Sequence, residues 1–201
     1  MRPGLALLLG ALALGSLTLA GCASAPPRKP TTQGASWPER RTQLQSLEAF
    51  EIKGKVAVAA GTEGFSARLT WDQQGARSSL ALDGPLGVGG LRVVADGDAL
   101  NVTTSKGVQL DSEAARTELS AKLGFEPPLG SLRYWVLGVP DPAQPSIETL
   151  GPDQRLLTLD QSGWHVDYSA YAEHGGDSLP QRMALTRADV RLRLIVEDWR
   201  P

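Results

Sequence analysis

Among 201 residues there is a single cysteine, Cys22, so no disulfide can form within the chain. Histidine is nearly as scarce, with two in all. His165 sits between Trp164 and Val166, where strand alternation turns it outward, and His174 falls in a Glu173-His174-Gly175-Gly176 loop. Neither has the spaced His, Cys or carboxylate company that a metal requires, so no metal and no cofactor are expected. Charge of neither sign dominates, with 20 Lys and Arg against 22 Asp and Glu, and no basic run marks a nucleic-acid partner. The HExxH, GxSxG and CxxC patterns are missing. Gly84, Gly87, Gly89 and Gly90 look at first like a dinucleotide loop, but the third glycine of GxGxxG falls at Arg92 and no helix follows to receive a phosphate. Asp160 and Asp167 flank a hairpin and read as solvated strand residues rather than as a paired acid and base. Ser66 and Ser131 have no histidine close in sequence to act as a base. The chain does not read as an enzyme.

Long apolar runs are confined to the start. Met1-Arg2 supplies a positive charge and Leu5 to Leu19 is apolar. At about 1.5 Å per residue this run reaches ~22 Å, short of the roughly 30 Å of bilayer hydrocarbon, so residues 1–21 read as a signal peptide and not as a span. Leu19-Ala20-Gly21-Cys22 resembles the lipobox of bacterial lipoproteins, which implies cleavage before Cys22, diacylation of its thiol and acylation of the new amino group. A plain signal peptide with an incidental cysteine is the alternative. Several acyl chains, each stabilised by about 0.8 kcal/mol per buried methylene, anchor far more firmly than one. An Asp after the cysteine would resemble an inner-membrane retention signal; Ala23 stands there, which favours the outer membrane. Residues 22–35 then form an acylated N-terminus and a flexible tether, Pro- and Thr-rich and without apolar period.

The folded part is expected over 36–201. Ser36 and Glu39 fit a capping box, with Pro38 in the first turn, and open a short amphipathic helix that carries Leu44 and ends near Leu47. The period then switches to two. Phe50, Ile52, Val56 and Val58 make one strand; Phe65, Ala67, Leu69 and Trp71 make the next, after a Gly61-Thr62-Glu63-Gly64 turn. Strands are expected again around Leu80 and Leu82, over Leu91–Ala95, Leu100–Thr104 and Val108–Leu110. Two helices interrupt: one capped by Asp111 or Ser112, with Ala115, Leu119 and Leu123 on one face and Gly124 as stop, and one carrying Leu129, Leu132, Trp135 and Val136. Period two returns with Leu157 and Leu159, a Gln161-Ser162-Gly163 turn, Trp164-Val166-Tyr168, Met183-Leu185 and Val190-Leu192-Leu194-Val196. The pattern is α+β and dominated by one antiparallel sheet.

Aromatic residues are few, at 5 %. Trp71, Trp135, Trp164, Tyr168 and Trp199 are spread through the folded part, and core packing accounts for each alone. Together with helices too short to make a domain, they suit an apolar pocket under a helical lid. At this point the sequence resembles the LolB family of outer-membrane lipoprotein receptors, from the lipobox through Trp37 to Trp199. The resemblance rests on Trp71-Asp72-Gln73, Gly84-Pro85-Leu86-Gly87, Leu132-Arg133-Tyr134-Trp135 before Gly138-Val139-Pro140, Gly163-Trp164-His165-Val166-Asp167-Tyr168, Leu179-Pro180 before Met183-Ala184-Leu185, and Leu192-Arg193-Leu194 with Trp199. It implies an incomplete, unclosed antiparallel β-barrel of about eleven strands, with short helices covering a hydrophobic cavity. Phe65, Trp71, Leu132, Trp135, Trp164, Tyr168 and Met183 are the candidates for holding acyl chains there.

The resemblance also implies that lipoproteins arrive from a LolA-like periplasmic carrier and pass into the outer membrane, the receptor acting as a monomer. Leu86, between Pro85 and Gly87, would face the membrane. Pro85 fixes one backbone angle and Gly87 permits a tight turn, so the leucine is presented; folding back onto the sheet is its alternative. One such side chain gains at most ~1.5 to 3 kcal/mol in an apolar phase, enough to orient a tethered protein but not to anchor one. Val88-Gly89-Gly90 makes this loop more glycine-rich than the family pattern. The competing reading is a structural or adaptor lipoprotein whose aromatic residues fill a closed core.

Overall fold

The computed structural model describes residues 34–85 and 90–200; the signal peptide, Cys22, most of the tether, and Leu86 and Gly87 fall outside them. The strands are β1 (Ala49–Ala60), β2 (Glu63–Gln74), β3 (Arg77–Asp83), β4 (Leu91–Asp96), β5 (Ala99–Thr104), β6 (Gln109–Asp111), β7 (Ser146–Leu150), β8 (Leu156–Gln161), β9 (Trp164–His174), β10 (Asp177–Arg187) and β11 (Val190–Arg200). The helices are α1 (Trp37–Gln45), α2 (Ser112–Leu123) and α3 (Leu129–Trp135).

All 11 strands form one sheet in the order β6-β5-β4-β3-β2-β1-β11-β10-β9-β8-β7. Every neighbour pair is antiparallel, and the first strand lies against the last. The outer strands β6 and β7 do not meet, so the barrel is unclosed. The chain from β6 to β7 carries α2 and α3, so the segment that joins the two sheet edges is also the one that covers the interior. The hairpins β1–β2, β3–β4, β5–β6, β8–β9 and β10–β11 all turn at one end of the barrel, called the lower end below.

Alternation builds the strands. Phe50, Ile52, Val56 and Val58 are buried on β1, while Lys53 and Lys55 are exposed. The β1–β11 register slips at Gly54. A Cβ there would lie 2.1 Å from the Ile195 carbonyl oxygen, so only glycine admits this approach. At the start of α1, Glu39 Oε2 accepts from the Ser36 amide at 2.9 Å and the Ser36 hydroxyl at 2.7 Å. These two bonds, the hydroxyl's first, lower the Glu39 pKa. On α2, Ala115, Leu119 and Leu123 are buried and Gly124 ends the helix with φ +78°.

Each sheet edge has a helix beside it. On the β7 side, Glu148 accepts from Trp37 Nε1 at 2.8 Å and from Arg41 at 3.0 Å, holding α1 in place. On the other side α2 lies against β5 and β6.

Four details differ from the sequence expectation. Strand β7 has no deeply buried residue, and its Ile147 is 72 % exposed, so no apolar alternation announced it. Leu157 was expected inward with Leu159, but Leu157 is exposed and Leu156 is buried. A register slip opposite Thr149 and Leu150 inserts one residue and reverses the phase. Gln161 belongs to β8 and is buried, leaving Ser162-Gly163 as the turn, both at positive φ as such two-residue hairpins require. Likewise Glu63 and Gly64 belong to β2.

Candidate functional site

Two apolar clusters fill the interior. The larger joins β1, β2 and β8 to β11 with the α3 region; the smaller joins Leu91, Val93, Leu100 and Val102 to Ala115, Leu119 and Leu123 of α2. Phe65, Leu80, Leu82 and Phe125 pack against both. Along this seam lies a cavity of about 70 Å³. Its sheet wall is Val56 and Val58 of β1, Phe65, Leu69 and Trp71 of β2, Leu80 and Leu82 of β3, Val93 of β4, and Leu192 and Leu194 of β11. Its cover is Leu119 and Leu123 of α2, Phe125 and Pro127 after it, and Leu129 and Leu132 of α3. Every lining residue is apolar. Such a space has no polar partner to hold water and favours hydrocarbon.

Of the candidates from sequence, Phe65, Trp71 and Leu132 come together in this lining. Trp135, Trp164, Tyr168 and Met183 are buried in the larger cluster but are not among the lining residues. The reason is the direction of their strands and their polar ties. Trp135 Nε1 donates to Gln161 Oε1 at 2.7 Å, and the Tyr168 hydroxyl donates to the Trp135 carbonyl at 2.9 Å. Burial pushes the Tyr168 pKa well up. Trp164 stacks at a tilt on Phe125 with ring centroids 5.4 Å apart, so it supports one cover residue from behind. Pro85 is exposed at the lower end, at the edge of a groove shared with Phe65, Leu82 and Leu123.

Sequence reasoning missed two buried glutamines that fix the frame. Gln73 accepts from Trp71 Nε1 at 3.1 Å and from Ser78 at 2.6 Å, and donates to the Gly75 carbonyl at 2.9 Å. Gln161 accepts from Trp135 Nε1 and the Asp141 amide and donates to the Asp141 and Gln144 carbonyls. A buried, fully bonded amide is costly to disturb, so each sets a tryptophan rigidly. The signal available was a glutamine two or three residues from a tryptophan or a turn, which is too common to single out. Arg40 was also missed: it is buried under α1, where its Nη2 donates to the Ser178 carbonyl and burial lowers its pKa.

The polar groups do not assemble a reaction centre among the described residues. Ser131 donates to Asp141 at 2.7 Å, and Ser66 is exposed on β2. His165 bonds Asp160 at 2.7 Å and lies 3.6 Å from Asp167 on the surface. The bond to Asp160, partly opposed by burial, raises the imidazole pKa. No group of His, Cys, Asp or Glu among the described residues is placed to hold a metal. A polar groove of about 380 Å³ runs past Arg116 and Arg133. Its cations are already spent: Arg116 bonds the Asp98 carbonyl and Glu126, and Arg133 bonds the Gly75 carbonyl. No helix among the described residues is long and apolar enough to cross a membrane.

Comparison with known proteins decides the lineage. Residues 48–199 match the family model of the outer membrane lipoprotein LolB. Outer-membrane lipoprotein LolB of Stutzerimonas stutzeri is 35 % identical over 190 residues, covering 92 % of each chain. LolB of Pseudomonas aeruginosa is 35 % identical over 204 residues, covering 100 % of this chain and 98 % of the relative. The chain belongs to the LolB family. It is an outer-membrane lipoprotein receptor of the Lol pathway, lipid-anchored in a Gram-negative bacterium. Among solved structures, a LolA superfamily protein from Nitrosomonas europaea superposes with TM-score 0.53 at 11 % identity, over 85 % of this chain and 93 % of that one. A DUF1329 family protein from Desulfovibrio piger gives 0.51 at 9 %, with the same coverage. At these identities the likeness concerns the fold alone.

Proposed function

We propose that the seam cavity is the place where this receptor shelters the acyl chains of an incoming lipoprotein, handed over by a LolA-like carrier and released into the outer membrane. The observation that carries this reading is a space lined only by apolar side chains, where α2, the residues after it and α3 lie over the seam between the two clusters. As it stands, about 70 Å³ is far too small for a fatty tail. Parting α2 and the Phe125 segment from β1, β2 and β11 enlarges it, at the cost of the contacts Phe125 makes with the larger cluster. An acyl chain of about fifteen methylenes gains roughly 12 kcal/mol on leaving water, which is ample to drive that parting. No covalent step is needed. Transfer proceeds because each station binds the chain more favourably than the last, the bilayer most of all.

Cys22 carries the acyl anchor in this reading, residues 23–35 are the tether, and Leu86 meets the bilayer. Leu86→Glu then leaves acceptance of cargo from the carrier intact and slows its insertion into vesicles. Normal delivery by that variant overturns the role of the loop. For the cavity, saturable displacement of a bound fluorescent fatty acid is the test; a receptor that acts only as an adaptor with a closed core gives no saturable binding.

A further inference from the structure

The outer face of the sheet carries a segregated field of cations next to the lower end. Register places Arg182, Ile195, Lys55 and Arg68 side by side across β10, β11, β1 and β2. One step lower, the row is Ala184, Arg193, Ala57 and Ser66; one step further, Thr186, Arg191, Ala59 and Gly64. Lys55 and Arg68 are thus direct cross-strand partners of like charge, an arrangement that destabilises a sheet. Of the cations in these rows, Lys55 alone has an ion pair among the described residues, with Glu197. Arg68, Arg182, Arg191 and Arg193 are exposed and form none among the described residues. Carboxylates border the field: Glu197 pairs with Lys55, Asp83 stands opposite Arg68, and Asp167 continues the Arg193 row beyond Ala184.

Nothing in folding requires that arrangement, and its place suggests its partner. Arg68 lies opposite Asp83, immediately before Gly84 and Pro85 of the proposed membrane-facing loop, and a shallow groove joins Lys55 and Arg68 to that loop. Around Arg191 and Arg193 the cross-strand neighbours are small, Ala57, Ala59, Ala184 and Thr186, so these two guanidiniums stand clear of the sheet. Ile195, 39 % exposed, sits among the cations. Exposed guanidiniums that form no ion pair among the described residues, next to a loop proposed to meet the bilayer, suit a layer of lipid phosphates. We infer that the Lys55-Arg68-Arg193-Arg191 face binds anionic phospholipid headgroups and tilts the receptor so that the loop and cavity mouth meet the bilayer. This rests on the reading above that the lower end is the membrane-facing one.

The test uses the full chain carrying Cys22→Ala, which removes the proposed anchor and leaves the domain intact. Binding is measured by flotation with vesicles of phosphatidylglycerol and phosphatidylethanolamine, and with vesicles of phosphatidylcholine alone. The expected result is preferential, salt-sensitive binding to the anionic vesicles, weakened about fivefold for each cation removed and on the order of 100-fold by Arg68→Gln, Arg191→Gln and Arg193→Gln together. These positions are exposed, so thermal melts of the triple variant should match the parent. Binding unchanged by the triple variant, or equal on neutral and anionic vesicles, overturns the inference. The loop reading fails separately: there Leu86→Glu leaves insertion unaltered while the triple variant still loses anionic binding.

Discussion

Truncating the cover at Leu119 should separate a hollow receptor from a solid one. Leu119 is 3 % exposed on α2 and lines the cavity. Leu→Ala at buried sites costs about 2.7 to 5.0 kcal/mol, rising with the void that is left. Here α2 rests on a seam rather than inside a continuous core, so it can settle inward, and a loss near 3 kcal/mol is expected. A domain with about 5 to 15 kcal/mol of stability survives that. The void, however, adds to a space that already exists. An apolar ligand such as 1-decanol should therefore bind the variant better than the parent and restore about 2.7 kcal/mol at a hundred times its dissociation constant. Leu185→Ala provides the control, since Leu185 is 1 % exposed in the larger cluster and away from the cavity. Urea unfolding with and without decanol measures both. If decanol restores Leu119→Ala no more than Leu185→Ala, the cover is not a separable wall and the proposed opening is wrong.

Gln161→Leu removes the acceptor shared by Trp135 Nε1 and the Asp141 amide and should cost about 2 to 4 kcal/mol, read as a lower urea midpoint with unchanged slope. Gly124→Ala should both strain a left-handed cap and set a methyl 2.6 Å from the Ala60 Cβ, wedging the end of α2 away from β1; faster uptake of a fluorescent fatty acid, at a stability cost of about 1 to 2 kcal/mol, is the expected signature. The raised pKa of His165 means that its pairing with Asp160 stabilises the fold fully below the unfolded value of about 6.5 and is lost as pH rises through the folded value. Because the pair is exposed, the effect should stay under about 1 kcal/mol between pH 5.5 and 8 and vanish in Asp160→Asn; an NMR titration of the imidazole checks the sign.

The strands that sequence alone revealed are those with one wet and one dry face, because alternation is then written in residue type. Phe50 to Val58 and Val190 to Val196 are the clearest cases. Strand β7 escaped because as an edge it buries little and Ile147 points to solvent. Leu156 and Leu157 were assigned the wrong way round because one bulge inverts every later side chain while leaving composition unchanged. The same limit applies at the site. Phe65, Trp71 and Leu132 could be picked as aromatic and apolar residues of the right period, but so could Trp135 and Tyr168. What separates the two sets is which part of the larger cluster each occupies, beside the seam or away from it, a property of strand order that residue type does not carry. Leu119 and Leu123 were legible as a helix face with Gly124 as its stop, whereas Phe125 was not; their role as a cover depends on how α2 crosses the sheet.

That crossing follows from the topology. A closed barrel pairs all its edges and must fill its lumen from its own strands. Here the sheet stops at β6 and β7, and the segment from α2 to α3 spans the interval. Such a segment is held to the sheet by side-chain packing and few backbone bonds, so its displacement costs apolar contact area rather than a ladder of hydrogen bonds. Contact area is also the quantity an acyl chain supplies on entering. On the proposed reading, the loss from parting Leu119, Leu123 and Phe125 from the sheet is offset by the ligand that causes it, and opening needs no external energy source. Side-chain bonds from Arg116 to the Asp98 carbonyl and from Arg133 to the Gly75 carbonyl also tie this segment to turns of the sheet, and removing them should ease its displacement, since no hydrocarbon replaces a broken hydrogen bond.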